Sequence, residues 1–545
     1  MANTVISYRV LDGLELKANL GYNRSELTEI QVSPNTIYDP AFGLTSASST
    51  ATRNQNVRNS WIVEPQLDYK HDFSWGSINL TLGSTFQDKE SDQLTLSANG
   101  FADNYLITNF SAANTVRFIN ELTTQYRYQA GYARVNFNLH SKYILNFTGR
   151  RDGSSRFGTD NRFANFGAIG GAWLFSKEKF ADTLTWLDFG KLRASYGITG
   201  NDQIGDYQYL NTYSITDGGY NGAIGLTPSR LFNSGFAWEK NKKVEVALEA
   251  EFLKGAVNVE AAYYSNRSDN QLLGIPLPGT TGFSSINANL NATVENSGWE
   301  IRVGTNNIKN ETFKWNTSLQ FTLPKNKLVA FEGLENSSYV NQLVIGQPLS
   351  IYKLYKNEGV NPETGLFNFT DYNGDNAITV ADRQFVEDLT PEFYGSLSNT
   401  LQYKNWSLDI TFQFMKKKGL NEFYTTEPPG TMLNQPQSAL NQWQNPGDNS
   451  SMQAYTTGWN FDAYNAYSQF TQSSGVISDA SFIRLKTLAL SYRFMTDRKG
   501  ISGCTLFAQG QNLLTFTKFK GGDPEQAPGF LAPVRRISFG FRMEL

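Results

Sequence analysis

"SLDITFQF", residues 407–414, decides the fold. Leu408, Ile410, Phe412 and Phe414 alternate with Ser407, Asp409, Thr411 and Gln413. A strand points successive side chains to opposite faces, so this stretch has one apolar face and one polar face. The pattern recurs along the chain. Val244, Val246 and Leu248 alternate with Glu245 and Glu249; Val257, Val259 and Tyr263 with Asn258 and Glu260; and Ile537, Phe539, Phe541 and Met543 with Arg536, Ser538 and Arg542.

Between the alternating runs, two kinds of connection take turns. Short ones are "VLDG" (10–13), "HDFSWG" (71–76), "HSKY" (140–143), "FLKG" (252–255), "NIKNE" (307–311), "YKNW" (403–406) and "TDRKGISG" (496–503), with "SKEKFADTL" (176–184) slightly longer. Long polar segments lie between them at 25–59, 88–122, 152–162, 201–239, 267–292, 325–391, 420–481 and 518–533. Short turns on one side and long loops on the other describe an all-β, antiparallel up-and-down transmembrane β-barrel, with turns in the periplasm and loops outside the cell. A soluble sandwich array or propeller would need covered sheet faces or a fixed four-strand period, and no such period is present. Trp61, Trp75, Trp186, Trp238, Trp299, Trp315 and Trp406 fall near expected strand ends, where aromatic girdles sit.

Composition narrows the function. The 545 residues carry 47 basic and 50 acidic side chains, so there is no basic footprint for nucleic acid. No linker or composition shift divides the chain, which favours one large repetitive body over 1–545. The single cysteine, Cys504, excludes a disulfide framework, and the only histidines, His71 and His140, fall on short turns. No apolar run is long enough for a membrane-crossing helix, a criterion that does not bear on strands. The N-terminus lacks the basic-then-apolar pattern of a signal peptide. No nucleophile elbow, phosphate loop or zinc motif is found, so an enzyme is not expected.

Segments beginning near residues 2, 14, 60, 77, 124, 143, 164, 186, 241, 256, 294, 312, 394, 407, 482, 504 and 534 make seventeen strands. Bacterial barrels close with even numbers, because both ends lie on the periplasmic side. Counted back from the last strand, the first would start outside the cell, so the chain is expected to be cut within an extracellular loop.

Three stretches then carry a resemblance: "LRASYGITGNDQIGDYQY" (192–209), "FTDYNGDNAITVADRQFVEDLTPEFYGSLSNTLQYKNWSLDITFQF" (369–414) and "DASFIRLKTLALSYRF" with "FAQGQNLLTFTKFKGGDPE" (479–494 and 507–525). Together they resemble the C-terminal barrel of SusC/RagA-type TonB-dependent outer-membrane transporters, and the resemblance covers essentially the whole chain. It implies about 22 strands in the complete barrel, an N-terminal plug, energy from the TonB complex and a SusD-like surface lipoprotein as lid, with oligosaccharides or oligopeptides as cargo. On that reading this chain supplies about 17 of the expected 22 strands. It lacks plug and signal peptide, and it couples to TonB only through a region outside it. A non-selective porin or surface adhesin barrel is the alternative.

Within that frame, Arg134, Glu245, Glu249, Glu251, Glu260, Asp409, Arg536 and Arg542 are expected on the barrel's inner wall, facing the plug or simply hydrated. The 420–481 loop carries Tyr424, Trp443, Tyr455, Trp459, Tyr464 and Tyr467 among many amides, a composition suited to stacking on a sugar and equally to packing on itself or the lid. Lys416, Lys417 and Lys418 lie at the outer end of their strand, where lipopolysaccharide phosphates would be, though a solvated charge run is the simpler reading. No cofactor is required, but Asp371, Asn373, Asp375 and Asp382 occupy positions 1, 3, 5 and 12 of a calcium-loop frame. Asn376 stands where that frame wants glycine, so the choice is between a structural calcium and an Asn-Gly turn closed by its own Asp side chains.

Overall fold

The computed structural model describes residues 1–220, 223–495 and 503–544. Among them, seventeen strands belong to one large sheet. They are Ala2–Leu11, Leu14–Ser33, Thr50–Phe73, Gly76–Phe101, Ala113–Leu139, Tyr143–Ser154, Phe163–Trp173, Leu187–Asn201, Glu239–Phe252, Val257–Asp269, Ala292–Lys309, Phe313–Phe331, Phe393–Tyr403, Trp406–Lys416, Phe482–Met495, Gly503–Thr517 and Arg536–Glu544. The seventeen segments expected from alternation are these strands. No helix is long and apolar enough to cross a membrane.

The chain divides into two compact units. The first comprises Met1–Ala172, Ser195–Lys242 and Ser268–Asn291. Its strands pair antiparallel in chain order from Ala2–Leu11 to Tyr143–Ser154. The joining turns are tight: Gly13 has φ +82°, and His140 and Ser141 have φ +52° and +53°. Two successive left-handed residues match the twist of the flanking strands, which explains the three-residue connection His140–Lys142 there. The second unit comprises Trp173–Ala194, Lys243–Arg267 and Ala292–Leu545. Its strands from Ala292–Lys309 to Arg536–Glu544 also pair antiparallel in sequence. The short connection 496–503 falls almost wholly outside the described residues.

Alternation is realised as two chemically distinct faces. Val244, Val246, Leu248, Ile537, Phe539, Phe541 and Met543 remain between 39% and 79% exposed. An apolar face this extensive, left open along successive strands, is what hydrocarbon covers in a membrane protein and what a water-soluble monomer avoids.

Two expectations need correction. The segments 25–59 and 88–122 are largely strand, because Thr50–Phe73, Gly76–Phe101 and Ala113–Leu139 run for 24, 26 and 27 residues. A membrane crossing takes only about 9–11 residues. Beyond it both faces are wet, so the apolar–polar period vanishes while backbone pairing continues. Trp238 is also no girdle residue: it is 5% exposed, packs with Phe157, Phe166 and Phe236, and donates its indole N–H to the Arg162 carbonyl at 3.2 Å. Trp61, Trp75, Trp186, Trp299 and Trp406 stay exposed as expected.

Candidate functional site

In the second unit a charged cluster forms on the polar face. Leu187–Asn201 brings Lys191 and Arg193, Glu239–Phe252 brings Glu245 and Glu249, and Val257–Asp269 brings Glu260. Residues i and i+4 of a strand share a face, which places both glutamates of "VEVALE" together. Arg193 donates through Nε to Glu249 at 2.9 Å and through its terminal nitrogens to Glu245 and, at 3.3 Å, Glu260. Lys191 reaches Glu249 at 3.1 Å, and Arg302 stands 3.9 Å from Glu260. A cleft of about 280 Å3 opens between Arg193, Glu245, Glu260, Tyr264, Glu300 and Arg302. Its charged groups are Arg193, Glu245, Glu260, Glu300 and Arg302, so it can bind polar surfaces.

Of the expected wall residues, Glu245, Glu249 and Glu260 are therefore brought together. Asp409 instead accepts from the Thr400 hydroxyl at 2.7 Å, Arg134 donates to Asn146 at 3.2 Å, and Glu251, Arg536 and Arg542 are exposed. Lys191 and Arg193 were missed by the sequence reading, although the alternation of Lys191 and Arg193 about Leu192 marks them in the same way.

The 420–481 segment folds as part of a module with its own core. Helix Phe461–Phe470 is capped by Asn460, whose side chain accepts from the Ala463 N–H at 3.2 Å. It buries Ala463, Ala466, Tyr467 and Phe470, an i, i+3, i+4, i+7 stripe. Phe470 stacks on Phe367 with centroids 4.0 Å apart, and Met452 and Val476 complete the cluster. Tyr467 is thus core, not platform; its hydroxyl meets Thr426 at 2.7 Å, and burial pushes it up to about 12. Trp443 is half-buried, its indole donating to the Pro362 carbonyl at 2.8 Å. Tyr424, Tyr455, Trp459 and Tyr464 remain exposed, joined by Met432, Leu433, Leu440 and Phe461.

In the loop 371–382 the carboxylates serve backbone donors. Asp371 accepts from the N–H groups of Gly374 (2.7 Å) and Asn376 (2.8 Å), and Asp375 from Ala377 (2.8 Å). Asp382, fully buried, accepts from Tyr372 (2.9 Å) and Thr379 (2.8 Å) and closes a capping box with Thr379. These bonds, led by that from Thr379, hold the Asp382 carboxyl below its usual value. Asn373 accepts from the Asp375 N–H at 3.0 Å and donates to its carboxylate. Among the described residues no three His, Cys, Asp or Glu side chains converge as a metal-ligand group.

The stretches that carry the family resemblance turn out to hold loops in place. Arg484 of "SFIRL" is 1% exposed and donates to Thr515 (3.0 Å), Glu525 (2.8 Å) and Asp523 (2.5 Å), the last two from "GGDPE". In the first unit Asp206 of "GNDQIGDYQY" pairs with Arg156 at 2.9 Å, and Asp202 accepts from the Tyr126 hydroxyl at 2.8 Å.

A strand meander with an open apolar face, a charged polar face and folded loop modules is the architecture of an outer-membrane protein of the β-barrel class. The pattern described as "TonB dependent receptor-like, beta-barrel" matches residues 3–513, and the chain belongs to that family. The TonB-dependent receptor P3 of Formosa agariphila is 28% identical over 562 residues, covering 96% of this chain and 54% of its own. TonB-dependent receptor SusC of Bacteroides thetaiotaomicron is 27% identical over 427 residues, covering 73% and 41%. The solved RagAB peptide transporter superposes with a TM-score of 0.84 at 24% identity, over 99% of this chain and 61% of that one, which establishes the same fold. The chain spans about half the length of the curated relatives it matches. The resemblance to SusC/RagA-type transporters is borne out, and the protein is an outer-membrane protein.

Proposed function

We propose that the complete receptor imports oligosaccharides or oligopeptides across the outer membrane, energised by the TonB complex and covered by a SusD-like lipoprotein. Family membership supports import, the resemblance to SusC/RagA-type transporters supports the two cargo classes, and the fold is shared with a solved peptide transporter. The observation that carries the lid is the set of exposed apolar side chains Met432, Leu433, Leu440, Trp459 and Phe461 on a module that is otherwise well packed. Loop residues with no membrane contact gain nothing from exposed apolar surface unless a partner covers it. Tyr424, Trp459 and Tyr464 can stack on cargo beneath such a lid, as can Trp443, whose ring is oriented by its indole bond and by packing against Gly365. The Arg193 cluster supplies the wall against which a plug can pair. A porin or adhesin would need neither plug nor lid. Replacing Trp459 and Phe461 by Ala in the full-length receptor should weaken co-purification of the lipoprotein about tenfold or more, as loss of an aromatic anchor does. Undiminished co-purification would remove the support for a lid on this module.

A further inference from the structure

The first unit carries a cleft at the upper edge of its apolar face. Directly paired residues in an antiparallel sheet share a face, so the face can be followed row by row. Tyr69 pairs with Leu80, Leu80 with Val135 and Val135 with Phe147; next come Leu67, Leu82 and Ala133. Further along lie Val63, Phe86, Gln129 and Gly153, then Trp61, Asp88 and Arg127. The face is thus apolar up to Phe86 and Trp61 and turns charged in that same row. A cleft of about 590 Å3 straddles the boundary, floored by Trp61 and Phe86 and walled by Arg127, Arg162, Tyr207 and Tyr209.

Its electrostatics are unbalanced. Arg127 gives its Nε edge to Asp88 at 3.0 Å and stays exposed, and Gln125 also donates to that carboxylate, at 3.1 Å. Arg162 has no ion-pair partner among the described residues, and its Nε is buried without a hydrogen-bond acceptor. An N–H withdrawn from water without an acceptor is unfavourable, so an acceptor entering the cleft would satisfy this one. The Arg162 backbone is meanwhile fixed, its carbonyl accepting from Ser154 N–H at 3.1 Å and from Trp238.

We propose that this cleft binds the phosphorylated headgroup of an outer-leaflet lipid, with the phosphate between Arg127 and Arg162 and the start of the acyl region on Trp61 and Phe86. Two guanidinium groups facing one carboxylate select an anion, and planar donor forks suit phosphate. The apolar floor, continuous with the face that hydrocarbon covers, selects a phosphate attached to a lipid over a free one. Tyrosine and tryptophan at such a boundary keep a ring in the apolar layer and a polar edge in the headgroup layer.

The test uses the full chain extracted from outer membranes into a neutral detergent. It is titrated with diphosphoryl lipid A, with the same lipid after enzymatic dephosphorylation, and with inorganic phosphate. Diphosphoryl lipid A should bind at least about tenfold tighter than the dephosphorylated form, and inorganic phosphate should compete only weakly. The paired substitution Arg127→Gln with Arg162→Gln should remove most of that preference, while Arg58→Gln, outside the cleft, should leave it intact. Equal binding of the two lipids overturns the proposal without recourse to any variant. Full competition by inorganic phosphate would likewise overturn it in favour of a plain anion site.

Discussion

Arg484 is the side chain whose loss should be felt most. It is 1% exposed, lies 4.9 Å from the Phe482 ring, and neutralises Asp523 and Glu525 in one contact set. Arg484→Met keeps much of the volume and leaves two carboxylates facing each other, 8% and 31% exposed. Removing one partner of a buried ion pair costs about 3–5 kcal/mol, because the remaining charge stays uncompensated. The lower end applies here. Gln413 still donates to Glu525 at 3.1 Å, and Lys417, depressed by burial and raised by Glu525 and Asp523, stands close enough to share the charge. Urea unfolding from detergent micelles should therefore show a loss of about 3 kcal/mol. Adding Asp523→Asn and Glu525→Gln to Arg484→Met should recover more than half of it, since no bare charge then remains. A loss below about 1 kcal/mol, the level of an exposed pair, or a triple variant no better than the single, would refute the reasoning.

Other outcomes follow from the same geometry. Arg193→Gln leaves Glu245, Glu249 and Glu260 mutually repelling; as these groups are roughly one-third exposed, a loss of about 1–2 kcal/mol is expected by unfolding, between exposed and buried pairs. Asp382 has a depressed carboxyl, so its contribution is present above the unfolded value of about 4 and is lost as pH falls through the folded one. Proteolysis within 371–382 should hence be flat from neutral pH to about 4 and rise below it, whereas Asp382→Asn should be cut faster throughout. Because the carboxylates already serve backbone N–H groups, calcium or a chelator should leave that proteolysis unchanged; a calcium-dependent slowing would favour the structural calcium instead. Gly365 has φ +70°, and a β-carbon there would overlap the Trp443 ring, so Gly365→Ala should destabilise the loop module by about 1–3 kcal/mol in a thermal melt.

Strand positions were legible in the sequence wherever one face meets hydrocarbon and the other water, as in Ser407–Phe414 or Val244–Glu249. The long extensions of Thr50–Phe73, Gly76–Phe101 and Ala113–Leu139 were not, because residues such as Asn54, Gln55 and Asn56 pair as strand while both faces are wet. Glu245, Glu249 and Glu260 were found by alternation. Their partner Arg193 went unnoticed inside a stretch read for its family likeness. Aromatic composition alone could not separate Tyr467, which builds the loop core, from Tyr424, Trp459 and Tyr464, which stay exposed. That division depends on the helical stripe of Ala463, Ala466, Tyr467 and Phe470, invisible until the helix ends are known. Trp238 misled for a related reason, since a tryptophan near a strand end can serve a buried cluster as readily as an interface.

The most direct test of TonB-dependent import is uptake by cells producing the full-length receptor with its own lid lipoprotein. Fluorescent oligosaccharide and oligopeptide mixtures would be offered to matched cells with and without a working TonB complex. The proposed function requires accumulation of one cargo class only when TonB is active, with Trp459→Ala and Tyr464→Ala together lowering it. Accumulation that is the same without TonB would contradict it and leave a passive pore.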